Sequence, residues 1–144
     1  MLRFMKTLNN ISRSQATYRL ARTKGSDLYA SHHAFLLTVC RNSGSTQEAI
    51  ATELCLNKST VARTLGTLEE RGYIERKVNP ENKREVLVYP TEKAREILPF
   101  VREINKDWNE RLTEGISESD LEVFYSVLSR LEERAKEIVK GVSE

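Results

Sequence analysis

Between Asn57 and Lys77 the sequence reads "NKSTVARTLGTLEERGYIERK". Val61, Leu65 and Leu68 recur there at i, i+4 and i+7, the spacing of one apolar helix stripe. At about 100° per residue, Ser59, Arg63 and Thr67 fall on the opposite side, with Lys58 and Thr60 at the start of the same helix. Short hydroxyls around one guanidinium make a narrow polar face. A hydroxyl can donate or accept, and a guanidinium presents a planar fork that matches the paired acceptors on a guanine edge. A helix carrying these groups can lie in the major groove of duplex DNA, with Lys58 serving either a phosphate or simply the helix start.

A second basic group follows. Tyr73 to Val78 and Glu85 to Tyr89 are β-rich runs separated by "NPENKR", whose Pro80 and two Asn residues form turns, so a hairpin with a six-residue loop is expected. It carries Arg76, Lys77, Lys83 and Arg84, suited to phosphates or to the negative potential of a narrow minor groove. Other chemistries find little support. Cys40 and Cys55 lie fifteen positions apart without a CxxC pair, so both are read as reduced thiols; a sensing thiol would need a depressed pKa and access, which a sequence does not display. His32 shares a stripe with Phe35 and Val39, the pattern of a core histidine rather than a metal ligand. No Gly-rich phosphate loop, metal motif or nucleophile elbow is present, so neither cofactor nor enzymatic activity is expected.

The elements that must hold these groups are mostly helical. Met5 to Ala21 carries Leu8, Ile11 and Tyr18 at helical spacing but is polar enough to need a partner surface. After a break at Gly25 to Asp27, Ser31 to Arg41 supplies Phe35, Leu36 and Val39 to a second helix, which "NSGS" ends. Thr46 can cap a third helix containing Ile50 and Leu54, and Ser45 with Glu48 offers a capping box one position earlier. "LCLN" is then a tight turn, Asn57 an N-cap for Lys58 to Arg71, and Gly72 its stop. Thr91 to Leu112 is one long helix bent at Pro99, and Ser117 with Asp120 caps a last helix with Leu121, Phe124, Leu128, Leu131 and Ile138 on one face.

The 144 residues suit a single domain, and an apolar fraction of 39% with 31% charged residues suits a helical protein that buries apolar surface against a partner. The net charge of +2 is unevenly spread. Residues 1 to 26 carry six basic groups and no acid, whereas 91 to 144 hold nine Lys or Arg against thirteen Asp or Glu. No signal-peptide pattern or membrane span is visible, so a cytoplasmic location is expected.

A short helix, a tight turn, a second helix with a hydroxylated face and a basic hairpin follow the order of a winged helix-turn-helix. From Thr46 to Ala94, "TQEAIATELCLNKSTVARTLGTLEERGYIERKVNPENKREVLVYPTEKA" resembles the core of the MarR family of bacterial and archaeal regulators. The likeness is carried by "KSTVARTL", "LEERGYIER", the wing with its Pro and Arg, and "LVYPTEKA"; the flanking helices match in arrangement more than in residues.

The resemblance implies a mainly α fold with a small β-hairpin wing and a dimerisation region built from both chain ends. Within one domain, 28–90 would be the DNA-binding lobe, and 1–24 with 91–144 the helices that interlock in a homodimer. Lys58, Ser59, Thr60, Arg63 and Thr67 then become groove residues, with Lys83 and Arg84 in the wing. The DNA partner would be a pseudo-palindromic operator, repressed until a small-molecule effector or an oxidative signal weakens the complex. Tyr18, His32 and Trp108 are candidate effector contacts, although Tyr18 and Trp108 suit a dimer core better. The rival reading is a winged helix for protein binding or sequence-neutral DNA binding. Two departures from the family stand out: Asn82 replaces the usual Asp two residues before the wing arginine, and Cys55 replaces the usual Gly of the turn.

Overall fold

Asn57 sets the register of the central helix. Its Oδ1 accepts from the Thr60 backbone N–H at 2.7 Å and from the Ser59 hydroxyl at 2.8 Å, so the helix begins at Lys58 as its N-cap requires. The computed structural model describes residues 3 to 143; Met1, Leu2 and Glu144, parts of the expected terminal segments 1–24 and 91–144, lie outside the described residues. Along these the order is α1 (Phe4–Arg22), α2 (His32–Arg41), β1 (Ser45–Thr46), α3 (Gln47–Leu54), α4 (Lys58–Glu70), β2 (Ile74–Asn79), β3 (Asn82–Pro90), α5 (Glu92–Leu112) and α6 (Glu118–Ser143).

Thr46, not Ser45, caps α3, its side chain accepting from the Ala49 N–H at 3.0 Å. Ser45 instead belongs to β1, a two-residue strand that the sequence does not announce. It pairs antiparallel with β3, Ser45 opposite Val88 and Thr46 opposite Leu87, in a sheet of order β1-β3-β2. The wing is also tighter than expected. Asn79 pairs with Asn82, leaving Pro80 and Glu81 as the turn in place of a six-residue loop. The next pair is Val78 with Val86, so Lys83, Arg84 and Glu85 oppose no residue of β2.

Two compact units divide the chain, 1–108 and 109–144. In the first, Val61, Leu65 and Leu68 of α4 pack in a buried cluster with Phe35, Leu36 and Val39 of α2, Ile50 of α3, Ile74 and Val88 of the sheet, and Val101 of α5. This burial supplies the main stabilisation of the lobe. α5 continues through Pro99, whose ring removes one helix hydrogen bond. α1 buries no residue and is attached to α5 by polar side chains. Arg22 meets Asp107 at 2.8 Å, and Arg19 bonds Asn105 at 2.8 and 3.1 Å. The opposite charges of the chain ends are therefore partly matched within the chain itself. In the second unit, Ser117 caps α6, accepting from the Asp120 N–H at 3.2 Å. Phe124, Leu131 and Ile138 of α6 are exposed.

Candidate nucleic-acid interface

The buried stripe of α4 fixes what its other face can present. With Val61, Leu65 and Leu68 fully enclosed, Arg63, two residues from both Val61 and Leu65 and so about 200° around the helix from each, is exposed. Ser59 is exposed as well, its hydroxyl donating to Asn57, while Thr60 is half-buried. Thr67 is half-buried, and its hydroxyl donates to the Arg63 carbonyl at 3.3 Å. It remains able to accept.

Lys58 and the wing residue Arg84 line one cleft with Thr46, Gln47, Glu48, Glu85 and Val86. The Lys58 ammonium lies 3.2 Å from Glu48, but both side chains are largely exposed, so the pair is weak and a phosphate can displace it. Lys83 and Arg84 are exposed at the wing tip. Asn82 Oδ1 accepts from the Arg84 backbone N–H at 3.2 Å, so the neutral contact available in place of the missing Asp holds the backbone and not the guanidinium.

Arg76 corrects the sequence reading of the hairpin. Expected among the groove-facing cations, it turns inward and bonds Glu69 at 3.2 and 3.3 Å, Gln47 at 3.2 Å and the Ala62 carbonyl at 3.4 Å. That guanidinium holds the Glu69 carboxyl below the usual carboxylate range. The alternation of a strand carries this signal: Arg76 shares a face with Ile74, which is buried. Lys77 lies 5.4 Å from the Tyr89 ring centroid and 3.6 Å from Glu75.

At the turn before α4, Cys55 adopts the left-handed conformation with φ 54° and is exposed. Cys40 is half-buried, and burial pushes its thiol up, away from the thiolate form. The structure brings together only two of the three candidate effector contacts. Tyr18 and Trp108 have ring centroids 5.5 Å apart, and the Tyr18 hydroxyl is engaged by Asp107 and by Arg22 at 2.6 Å. His32 is buried elsewhere, its Nδ1 accepting from the Tyr29 N–H at 3.3 Å and its pKa lowered first by burial and then by Arg71.

An exposed polar recognition face over a buried stripe, backed by a basic wing, is the geometry of a helix that enters a DNA groove. The model of the MarR family matches residues 28–86. The chain is 26% identical over 139 residues to the HTH-type transcriptional regulator YybA of Bacillus subtilis (strain 168), covering 94% of this chain and 93% of that one. A crystal structure of MarR is similar with a TM-score of 0.78 and 31% identity, covering 95% of this chain and 93% of that one. The chain belongs to the MarR family. A MarR-family regulator from Listeria monocytogenes, solved in complex with a 26mer DNA, is similar with a TM-score of 0.89 and 25% identity, over 95% of this chain and 91% of that one. The protein is a DNA-binding transcriptional regulator of the winged helix-turn-helix type. Among the described residues of this MarR-family chain, no helix is long and apolar enough to cross a membrane.

Proposed function

We propose that this MarR-family chain acts in the cytoplasm as a homodimer that reads a pseudo-palindromic operator and represses transcription until an effector weakens the complex. The observation that carries the operator reading is the exposure of Arg63 on the outer face of a helix whose other face is locked into the core. A fixed helix can aim one guanidinium at one base pair. Ser59, Thr60 and Thr67 flank it within the groove, and Lys58, Lys83 and Arg84 take phosphates or the adjacent minor groove.

The dimer reading is supported by α6, where Phe124, Leu131 and Ile138 stand 50%, 38% and 67% exposed. Apolar surface of that extent on one helix calls for a partner, and a second copy would add a second recognition helix about one DNA turn, roughly 34 Å, from the first. An effector that changes this spacing lowers operator affinity. Segments 1–24 and 91–144 supply the dimer helices, and 28–90 the lobe that touches DNA. Tyr18 and Trp108, whose rings meet at a tilt of 39°, are the effector contacts favoured by their proximity.

Recovery and sequencing of the genomic fragments bound by the purified protein identify the operator. On that operator, Arg63→Ala should cost about 1 to 3 kcal/mol and relax preference at one base pair per half-site, whereas Lys58→Ala should weaken all sequences alike. An operator-to-random affinity ratio that Arg63→Ala leaves unchanged overturns the assignment. A wild-type affinity equal on all sequences favours sequence-neutral binding instead.

A further inference from the structure

Asp27, in the turn between α1 and α2, divides its carboxylate between two distant parts of the chain. The Tyr73 hydroxyl donates to Oδ1 at 2.5 Å, and the Lys93 ammonium donates to Oδ2 at 2.9 Å. Its backbone carbonyl accepts from the Arg71 guanidinium. Lys93 closes the ring of contacts by donating to the Arg71 carbonyl at 2.7 Å, and its Nζ lies 4.2 Å from the Tyr73 ring centroid. One residue thus touches the C-cap of α4, the root of the wing and the first turn of α5.

A lone Lys and Asp pair at the surface would mean little, but this one contains a Tyr73 side chain that is only 2% exposed. A buried phenol needs a hydrogen-bond partner, and Asp27 provides it. Burial, then Asp27, pushes the Tyr73 hydroxyl up to about 12, so it stays a donor throughout the neutral range. The backbone reinforces the same junction: the Thr91 N–H donates to the Tyr73 carbonyl at 3.0 Å and the Thr91 hydroxyl to the Gly72 carbonyl at 2.6 Å.

Arg63 lies eight residues before Arg71 on α4, a lever of about 12 Å at 1.5 Å per residue, so a tilt of about 5° at Arg71 moves Arg63 by roughly 1 Å. A bidentate contact to a base does not survive such a shift, whereas a flexible lysine on a phosphate does. We propose that Asp27 is a positioning residue for sequence reading: it latches the end of α4 and the root of the wing to the first turn of α5, and so sets where Arg63 points. This rests on the operator reading proposed above. Nothing in the spacing of the sequence announces it, because Tyr73 and Lys93 lie 46 and 66 positions away.

Asp27→Asn keeps the size of the side chain but removes its charge and turns one acceptor into a donor facing donors. Asp27→Asn, Lys93→Met and the double variant are compared in the full chain by two readouts. In the free protein, hydrogen exchange should rise about tenfold together in segments 68–74 and 91–97, with α2 unchanged. On DNA, the operator-to-random affinity ratio should fall about tenfold, while random-sequence affinity and its salt slope stay constant, and the double variant should be no worse than Asp27→Asn alone. Unchanged exchange overturns the latch whatever the DNA result. Raised exchange with an unchanged ratio overturns the positioning role. A wild-type ratio of one overturns the operator reading and the positioning role with it, while exchange still decides the latch.

Discussion

The guanidinium of Arg76 on β2 grips Glu69 of α4 at 3.2 Å and passes 3.6 Å from the point where a Cβ on Gly66 would stand. Because the same group reaches Gln47 at the start of α3, the root of the wing braces both helices of the helix-turn-helix. At 3.6 Å an added methyl is in ordinary contact, so Gly66→Ala should leave the grip intact and stabilise α4 by about 0.5 to 1 kcal/mol through lost unfolded-state entropy. Arg76→Ala should destabilise by about 1 kcal/mol, a figure held down by the partial exposure of the pair. Urea denaturation of both variants measures this; a destabilised Gly66→Ala would mean that the crossing tolerates no methyl.

Cys55 occupies the left-handed region at φ 54° and ψ 39°, where a side chain meets its own backbone. The strain costs about 1 to 2 kcal/mol, offset by the greater entropy that glycine loses on folding, about 0.5 to 1 kcal/mol. Cys55→Gly should therefore raise stability by up to about 1.5 kcal/mol. Cys55→Val, whose branched side chain tolerates that conformation worse, should lower it. A thermal melt with the order reversed would contradict the strained turn.

What the sequence made legible is what local chemistry fixes. Asn57 and Gly72 bound α4 as a cap and a stop should, and the stripe of Val61, Leu65 and Leu68 is fully buried. The hidden parts depend on long-range backbone pairing or on partners far along the chain. β1 consists of two residues whose pairing with Val88 and Leu87 uses main-chain groups, so no side-chain pattern marks it. The wing loop reads as six residues because Pro80 and its neighbours all suit turns, yet the pairing of Asn79 with Asn82 confines the turn to two. Arg76 reads as a DNA contact by charge and becomes a brace by register.

His33 gives stability a pH dependence of definite sign. It is fully buried, neither ring nitrogen has a hydrogen-bond partner among the described residues, and burial, then Arg19 and His32, lowers its pKa to about 4. In the unfolded chain it titrates near the ordinary 6.5, so between those values the unfolded state binds the extra proton and folding stability falls as pH falls. From pH 7.5 to 5 the loss from this group is about 2 kcal/mol, with the depressed pKa of His32 adding in the same direction. Above about pH 7 the dependence on these two groups vanishes. His33→Leu should flatten the profile in chemical denaturation at these pH values; a slope identical to wild type would remove His33 as its source.

Arg84 stands where Lys83, Arg84 and Glu85 oppose no residue of β2, its backbone N–H held by Asn82 and its guanidinium without an ion pair among the described residues. Ordering that side chain on DNA costs conformational entropy, up to about 2 kcal/mol for a long side chain. Asn82→Asp would supply an ion pair worth about 0 to 1 kcal/mol but also a negative charge near phosphates, so a small net change in operator affinity is expected. Arg84→Ala should weaken binding clearly, and most on operators with A·T-rich flanks, where a narrow minor groove concentrates negative potential. Titrating Arg84→Ala on A·T-flanked and G·C-flanked operators separates the roles. Equal losses would mean that Arg84 holds phosphate alone, and no loss on either would remove the wing from the interface.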